Sequence, residues 1–334
     1  MAFHLLLRSL RQTESRKLPR KSAFDLQIRI PSTTSLVSSP HSFLDTLSCQ
    51  PGDFWKDYTR LRMKLLYRDI VLTFAATDQA VVSDRARIES CLSGILPAGT
   101  SSVAQAMRYS VLGAGQRLRP MLALRVARAL GSDELCSERA GAAVELLHCA
   151  SLIVDDLPCM DNDAMRRNRA SLHVEFGEST AVLAAFALVA LAAKVVADDS
   201  RFQLKLLSTM DCNSLIGGQA LDLELAGENR ERERSLVTSL KTVPLFCLAV
   251  EAGCLSTSVP RCERQAVREF GREYGMAYQM VDDYLDAETS CREHVMEQFD
   301  RARGCLHPLG ERAMHLCEML DYLNSKIQAG CQVH

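Results

Sequence analysis

The chain has 334 residues, 24% of them charged and 47% hydrophobic, enough for one large or two ordinary domains with a substantial core. A formal net charge of −2 carries no nucleic-acid signature. Thirteen scattered cysteines, odd in number and with no CxxC pair, indicate neither a zinc site nor a secreted disulfide framework; reduced thiols in a reducing compartment are the plainer reading.

Residues 1–50 are rich in Ser and Arg and hold seven basic residues against three acidic ones. This is the composition of an organellar transit peptide or of a disordered tail. The expected division is an N-terminal extension over 1–53 and one all-α domain over 54–334. The location is then cytoplasmic, or plastid or mitochondrial if residues 1–50 are a transit peptide.

From about Phe54 onward the apolar residues recur at helical spacing. Leu61, Leu65 and Leu66 form one set, Leu122, Leu124, Val126 and Leu130 a second, and Leu236, Leu240, Val243 and Phe246 a third. Gly113 to Pro120 reads as a loop entering a helix, and Gly131-Ser132-Asp133 as a turn and helix start. The longest apolar run, 181–193, is too short to span a bilayer and reads as a buried core helix, so no membrane span is expected. Strand patterns are scarce. The pattern predicts a single-domain all-α bundle of about ten helices with its site between helices.

Two acidic clusters stand behind apolar helical stretches. Asp155-Asp156-Leu157-Pro158-Cys159-Met160-Asp161 follows residues 146–154, and Asp282-Asp283-Tyr284-Leu285-Asp286 follows residues 274–281. Carboxylates at the inner end of an apolar helix are costly unless a cation compensates them. Mg2+ takes oxygen ligands and shares them with substrate phosphates, so two such clusters across a cavity would hold a polyphosphate. In the second cluster, Asp282, Asp283 and Asp286 have the spacing of one helical face, with Gln279 before them on an apolar stretch. Alone, this could be a solvated helix end. In the first cluster, Pro158 ends the helix and lets Asp161 fold back toward Asp155.

Arg166 and Arg167 follow at once, as a surface ion network or as forks for phosphate oxygens. His148 lies two helical turns before Asp155 and is either a satisfied core residue or a ligand. Gly113-Ala114-Gly115-Gln116-Arg117-Leu118-Arg119-Pro120 is a glycine-containing loop with two arginines. Gly218-Gln219-Ala220-Leu221-Asp222 and Lys241-Thr242 put an amide, an acid and a cation on neighbouring helices.

Taken in this order, from about Ala104 to Asp286, these pieces resemble the short-chain trans-isoprenyl diphosphate synthases, or polyprenyl synthetases. A weaker match continues at Leu306-His307-Pro308-Leu309-Gly310-Glu311-Arg312. The resemblance implies a helical bundle around a deep cavity, as a homodimer or heterodimer, with isopentenyl diphosphate and an allylic diphosphate as substrates. It implies about three Mg2+ ions per site with substrate bound. Asp155, Asp161 and Asp282 would be the metal ligands, and Asp156, Asp222, Asp283 and Asp286 would support them. Arg166, Lys241, Thr242 and Gln279 would hold the allylic diphosphate; Arg119, His148 and Arg167 would hold isopentenyl diphosphate. Ala150 and Ser151 would floor the cavity under the growing chain, and the small Ala150 favours geranylgeranyl over farnesyl diphosphate.

The chain departs from the family pattern in four places. Gln116 replaces the lysine of GGKRxRP. Residues 184–189 replace AGDALL, with Phe186 among them. Asn168-Arg169-Ala170-Ser171 replaces GKPT. After Asp286, a short segment through Arg292 stands where the family has a longer loop with phosphate-binding lysines. Such losses leave room for a catalytically impaired regulatory subunit as the alternative to an active prenyltransferase, and for Arg292 as a partial substitute.

Overall fold

In the computed structural model the described residues are 80–113, 115–225, 228–255, 258–286 and 291–330. The predicted extension, its boundary at residue 54, and the Leu61–Leu65–Leu66 pattern lie outside them. All but three of the elements assigned among the described residues are α-helices: α1 over 80–95, α2 (Ser102–Val111), α3 (Leu118–Leu130), α4 (Glu134–Asp155), α5 (Leu172–Phe176), α6 (Glu178–Val195), α7 (Ser200–Ser208), α8 (Leu215–Glu224), α9 (Glu228–Lys241), α10 (Val243–Gly253), α11 (Arg261–Leu285), α12 (Arg292–Cys305) and α13 (Met314–Gly330). The others are the strands β1 (Met165–Arg166) and β2 (Arg169–Ala170) and the 3-10 segment His307–Ala313. The all-α expectation holds. There are more helices than the apolar pattern suggested, because short ones such as α5 and α7 carry too few apolar repeats to register.

The helix ends follow local chemistry. Ser101 Oγ accepts from the Ala104 amide at 3.2 Å, and Asp133 Oδ1 accepts from the Leu135 amide at 2.8 Å, so both act as N-caps. Gly131 takes φ 66° and closes α3, with the Ser132 amide returning to the Ala127 carbonyl. The Gly131-Ser132-Asp133 punctuation therefore ends one helix and starts the next, as predicted.

Helix α4 is the axis of the fold. It packs against α6 on one side and against α3 and α10 on the other, and α11 lies across α10. The core between them includes Leu122, Leu146, Leu147, Phe246 and Phe270, all fully buried. Gly218 is required for one close approach: a side chain there would meet the backbone of Leu240 and Lys241 at about 2.5 Å, so only glycine lets α8 lie against the end of α9.

The reading of residues 181–193 as a buried core helix is only half right. Ala181, Ala184, Ala185, Leu188 and Ala192 of α6 are buried, whereas Phe186 is 71% exposed and Leu183 56%. Small residues let that helix press on α4, and its bulky apolar residues line the opposite face. By length and composition alone, two stretches among the described residues are apolar enough to cross a membrane, Glu178–Val195 and Glu233–Gly253. The second is more than half buried in the bundle and the first packs on α4, which is how core helices of a bundle pass the same test.

Candidate active site

Helix α4 carries His148, Ser151 and Asp155 at its C-terminal end, and its last turns border the first two of three cavities. The largest is apolar, about 480 Å3, walled by Ala150, Ser151, Val154, Met160, Phe186 and Met210 among others, with Asp155 on its rim. A cavity of about 470 Å3 is lined by Gln116, Arg119, His148, Arg166, Arg167 and Tyr278. A third, about 240 Å3, holds Asp222, Arg234, Lys241, Thr242, Gln279, Asp283 and Asp286. The floor residues predicted from sequence, Ala150 and Ser151, both line the apolar cavity.

The first acidic cluster is built as the sequence implied, with one division of labour added. The Asp161 amide donates to the Asp155 carbonyl at 2.9 Å, which folds the loop after Pro158 back on the helix end. Burial pushes the Asp155 carboxyl up to about 6, and the charges of Asp161 and Asp156 push it the same way, while Lys241 and Arg166 oppose them. A carboxylate so placed is short of positive charge. Asp156 is different: it is 3% exposed and accepts from Arg166, whose Nε lies 2.9 Å away, and Arg166 also pairs with Asp163 at 3.0 Å. Arg166, expected on the allylic diphosphate, is therefore anchored by acids on its own loop.

Arg166 and Arg167 sit on a hairpin that sequence reading missed. Met165 pairs with Ala170 and Arg166 with Arg169. Arg167 and Asn168 at its turn have φ of 54° and 62°, the left-handed pair of a two-residue hairpin turn. Asn168 accepts that conformation readily, whereas Arg167 is held in it at a cost. The strain aims Arg167 at the Gly115 loop and into the cavity with Arg119 and His148.

The two arginines of the glycine loop have separate tasks. Arg117 is 1% exposed, pairs with Glu145 and Glu89 at 2.8 and 2.7 Å, and donates to the Gly113 carbonyl at 3.0 Å, so it shapes the loop. Arg119 faces the cavity. It lies 4.5 Å above the Phe246 ring, and among the described residues its buried Nε has no hydrogen-bond partner. A buried guanidinium with a spare donor fits an anionic ligand. His148 stands among Arg119, Arg167, Arg117 and Arg166, and burial with these charges holds its pKa well below the usual histidine range. It faces the cavity as a neutral imidazole.

The second cluster departs from the expectation that its acids share one helical face. Asp282 and Asp283 are adjacent and diverge. Asp282 accepts from the Tyr278 hydroxyl and feels Lys326, Asp286 and Arg119; burial raises its pKa. Asp283 is buried, accepts from Gln279 Nε2 at 2.9 Å and pairs with Arg234 at 3.3 Å. Gln279 in turn accepts from Thr242 Oγ1 at 2.9 Å, and Lys241 donates to Asp222 at 2.8 Å. Lys241, Thr242, Gln279, Asp283, Asp286 and Asp222 thus converge on one cavity, and Lys241 acts electrostatically on Asp155 as well. Gln219 from the glycine–glutamine motif lines the apolar cavity, with neither amide atom partnered among the described residues.

Three polar groups escaped the sequence reading. Arg234 is two helical turns before Lys241 on the same face, a spacing that could have pointed to it. Tyr278 is one turn before Asp282, within the stretch 274–281 read as apolar. Lys326 comes from α13, beyond any motif. Arg292, suggested as a partial stand-in, is an exposed first residue of α12 and lines none of these cavities.

Mg2+ fits this donor set. Among the described residues no three His, Cys, Asp or Glu side chains converge as a ready-made metal cage. Mg2+ is bound through one or two carboxylates, waters and substrate phosphates, and the desolvated Asp155 beside Asp161 offers such a half-site.

A helical bundle that sets cation-lined cavities and two acid clusters beside an apolar pocket is the architecture of an isoprenyl-type synthase. The polyprenyl synthetase family pattern matches residues 100–296, and the chain belongs to that family. It is 31% identical over 280 residues to a geranylgeranyl diphosphate synthase of Pantoea ananas, covering 79% of this chain and 91% of that protein. It is 36% identical to a farnesyl diphosphate synthase of Bacillus subtilis over 57% of this chain and 68% of that one. The crystal structure of a geranyltransferase from Legionella pneumophila superposes with a TM-score of 0.70 at 28% identity, covering 76% of this chain and 99% of that one.

Proposed function

We propose that this chain is a Mg2+-dependent trans-prenyltransferase that condenses isopentenyl diphosphate with an allylic diphosphate (dimethylallyl, geranyl or farnesyl), with geranylgeranyl diphosphate as its product. The observation that carries the reading is the apolar cavity with Asp155 on its rim, in the same helix that presents His148 to the arginine-lined cavity. One site can therefore hold a greasy chain and two diphosphates at once.

The residues divide the work as follows. Asp155 and Asp161 on one side, and Asp282 on the other, would hold Mg2+, which on binding supplies charge neutralisation of the departing pyrophosphate. Lys241, Thr242 and Gln279 orient the allylic diphosphate, and Asp222 and Asp283 hold that cation and that amide in place. Arg119, Arg167 and neutral His148 seat isopentenyl diphosphate. The allylic C–O bond breaks, and its electrons leave with the pyrophosphate. The isopentenyl double bond attacks the allylic carbon, a C–C bond forms, and a proton passes to the released pyrophosphate. The walls around Ala150, Val154 and Met160 exclude water from the cation. Ala150 leaves the floor open, which supports the longer product.

The exposed apolar face of α6 supports a dimer, of this chain alone or with a relative. An Arabidopsis thaliana relative, 33% identical over 228 residues, is a heterodimeric geranylgeranyl pyrophosphate synthase large subunit. The composition of residues 1–50, alongside Arabidopsis relatives named as mitochondrial or chloroplastic, supports an organellar address over a cytoplasmic one.

The test is the full chain with isopentenyl diphosphate, each allylic diphosphate and Mg2+, with products separated by chain length. Elongated product is expected, abolished by chelation and reduced about 100-fold or more by Asp155→Asn. No product from the chain alone, together with an altered product ratio when it is mixed with a catalytic homologue, would replace this reading by that of a regulatory subunit.

A further inference from the structure

The sequence loses a lysine at position 116, and the fold puts another one there. Lys326 of α13 donates its Nζ to Gln116 Oε1. The same ammonium lies 5.6 Å from the centre of the Tyr278 ring and 5.8 Å from that of Tyr322. Gln116 and Tyr278 both line the cavity that holds Arg119, His148 and Arg167. Tyr278 is also the ring beneath Arg119, 5.8 Å from its guanidinium carbon. Lys326 is partly buried, and Asp282 is the acid whose charge it feels. No carboxylate forms an ion pair with it among the described residues, so its partners are an amide oxygen and two ring faces. Those neighbours orient an ammonium without neutralising it.

The placement is specific to the way this chain folds. The 3-10 segment before α13 turns at Gly310, with φ 56°. Ile327 and Leu323 are buried on a helix that packs against α3 and α11, and Lys326 between them in sequence meets Gln116 and Tyr278, two residues that line the cavity.

We propose that Lys326 is a substrate-binding residue for the diphosphate of isopentenyl diphosphate, supplying from the C-terminal helix the charge that the glycine loop lacks at Gln116. This rests on the prenyltransferase reading above. Restoring a lysine by Gln116→Lys should bring no gain in the wild-type background, because a second ammonium would stand against the first.

The test is a charge relocation. Lys326→Gln is expected to weaken binding of isopentenyl diphosphate about tenfold or more by calorimetry, without allylic substrate. In turnover the same variant should raise KM for isopentenyl diphosphate by a similar factor and leave KM for the allylic diphosphate within about twofold. Gln116→Lys combined with Lys326→Gln should recover most of the loss, which a merely structural role for Lys326 would not allow. Unchanged isopentenyl diphosphate binding in Lys326→Gln, or no recovery in the double variant, overturns the proposal even if the wild type turns over. Substrate binding that depends on Lys326 in a chain with no turnover would instead overturn the catalytic reading and leave this assignment standing. If Lys326→Gln fails to fold, Lys326→Arg replaces it; equal loss of both substrates in that variant counts against the proposal.

Discussion

In the proposed reaction, product length turns on one methyl group, that of Ala150. It is 2% exposed on the inner face of α4 and forms part of the apolar cavity wall, with Ser151 beside it tied back to the His148 carbonyl at 2.9 Å. A phenyl ring at this position would project into the cavity and occupy space the growing chain needs. Ala150→Phe is therefore expected to shorten the longest product by at least one isoprene unit, seen as a shift from geranylgeranyl toward farnesyl diphosphate by chromatography. KM for isopentenyl diphosphate should stay within about twofold, because the cavity proposed for that diphosphate is lined by other residues of α4, Glu145, His148 and Leu152. The fold should tolerate the change at about 1–3 kcal/mol, since the ring enters open space as well as packed core. An unchanged product spectrum would show that the cavity is not where the chain grows. At this scale most of the site was legible in the sequence, because carboxylates, arginines and an amide repeated at fixed spacings carry their chemistry with them. What was not legible is each side chain's direction. Asp282 and Asp283 are neighbours in sequence, yet the first accepts from Tyr278 and the second from Gln279, and Arg117 and Arg119, two residues apart, divide into a buried brace and a cavity-facing group.

Among the elements, α3 shows what holds the bundle behind the site. Arg125 is fully buried and joins three helices: its Nε pairs with Asp84 of α1 at 3.2 Å, and its Nη1 pairs with Glu318 of α13 at 2.9 Å and donates to the His315 carbonyl at 3.0 Å. Asp84 also pairs with Arg128 at 2.7 Å. Removing one member of a buried ion network strands the others away from water, at about 3–5 kcal/mol. Arg125→Met should fall at the lower end, about 3 kcal/mol, because Asp84 keeps Arg128. Urea unfolding should show this as a lower midpoint at an unchanged slope. None of Arg125's partners lines a substrate cavity, so product chain length should not move; a changed product with unchanged stability would contradict this assignment. None of this network was legible beforehand. Residues 84, 125 and 318 share no motif and no local periodicity; only the packing of α13 against α3 brings them together. Helix existence could be read from apolar spacing, and the boundary at Gly131-Ser132-Asp133 from residue type. The Arg167–Asn168 hairpin could not, since its two-residue strands are too short to show alternation.

For the molecule as a whole, the outer face of α6 is unfinished in a single chain. Phe186 and Leu183 are 71% and 56% exposed, and Val182 is 37% exposed, on a helix whose inner face is nearly all alanine. Contiguous exposed apolar residues on a soluble bundle mark an interaction surface. Phe186 and Val182 also line the apolar cavity, so the same side chains would meet a partner and wall the prenyl chain. Position 186 is where the family pattern AGDALL carries an acid, and the exchange of a charge for an aromatic favours a dry contact there. The wild-type chain should therefore run as a dimer by light scattering. Phe186→Asp, placing a carboxylate on that face, should raise the dimer dissociation constant by at least about tenfold. Because the ring is also cavity wall, the variant should broaden the product distribution under conditions where it still dimerises. A wild-type chain that scatters as a monomer at micromolar concentration, with no dimer formed on mixing with a catalytic relative, would detach this face from assembly. Phe186 would then be a cavity residue alone.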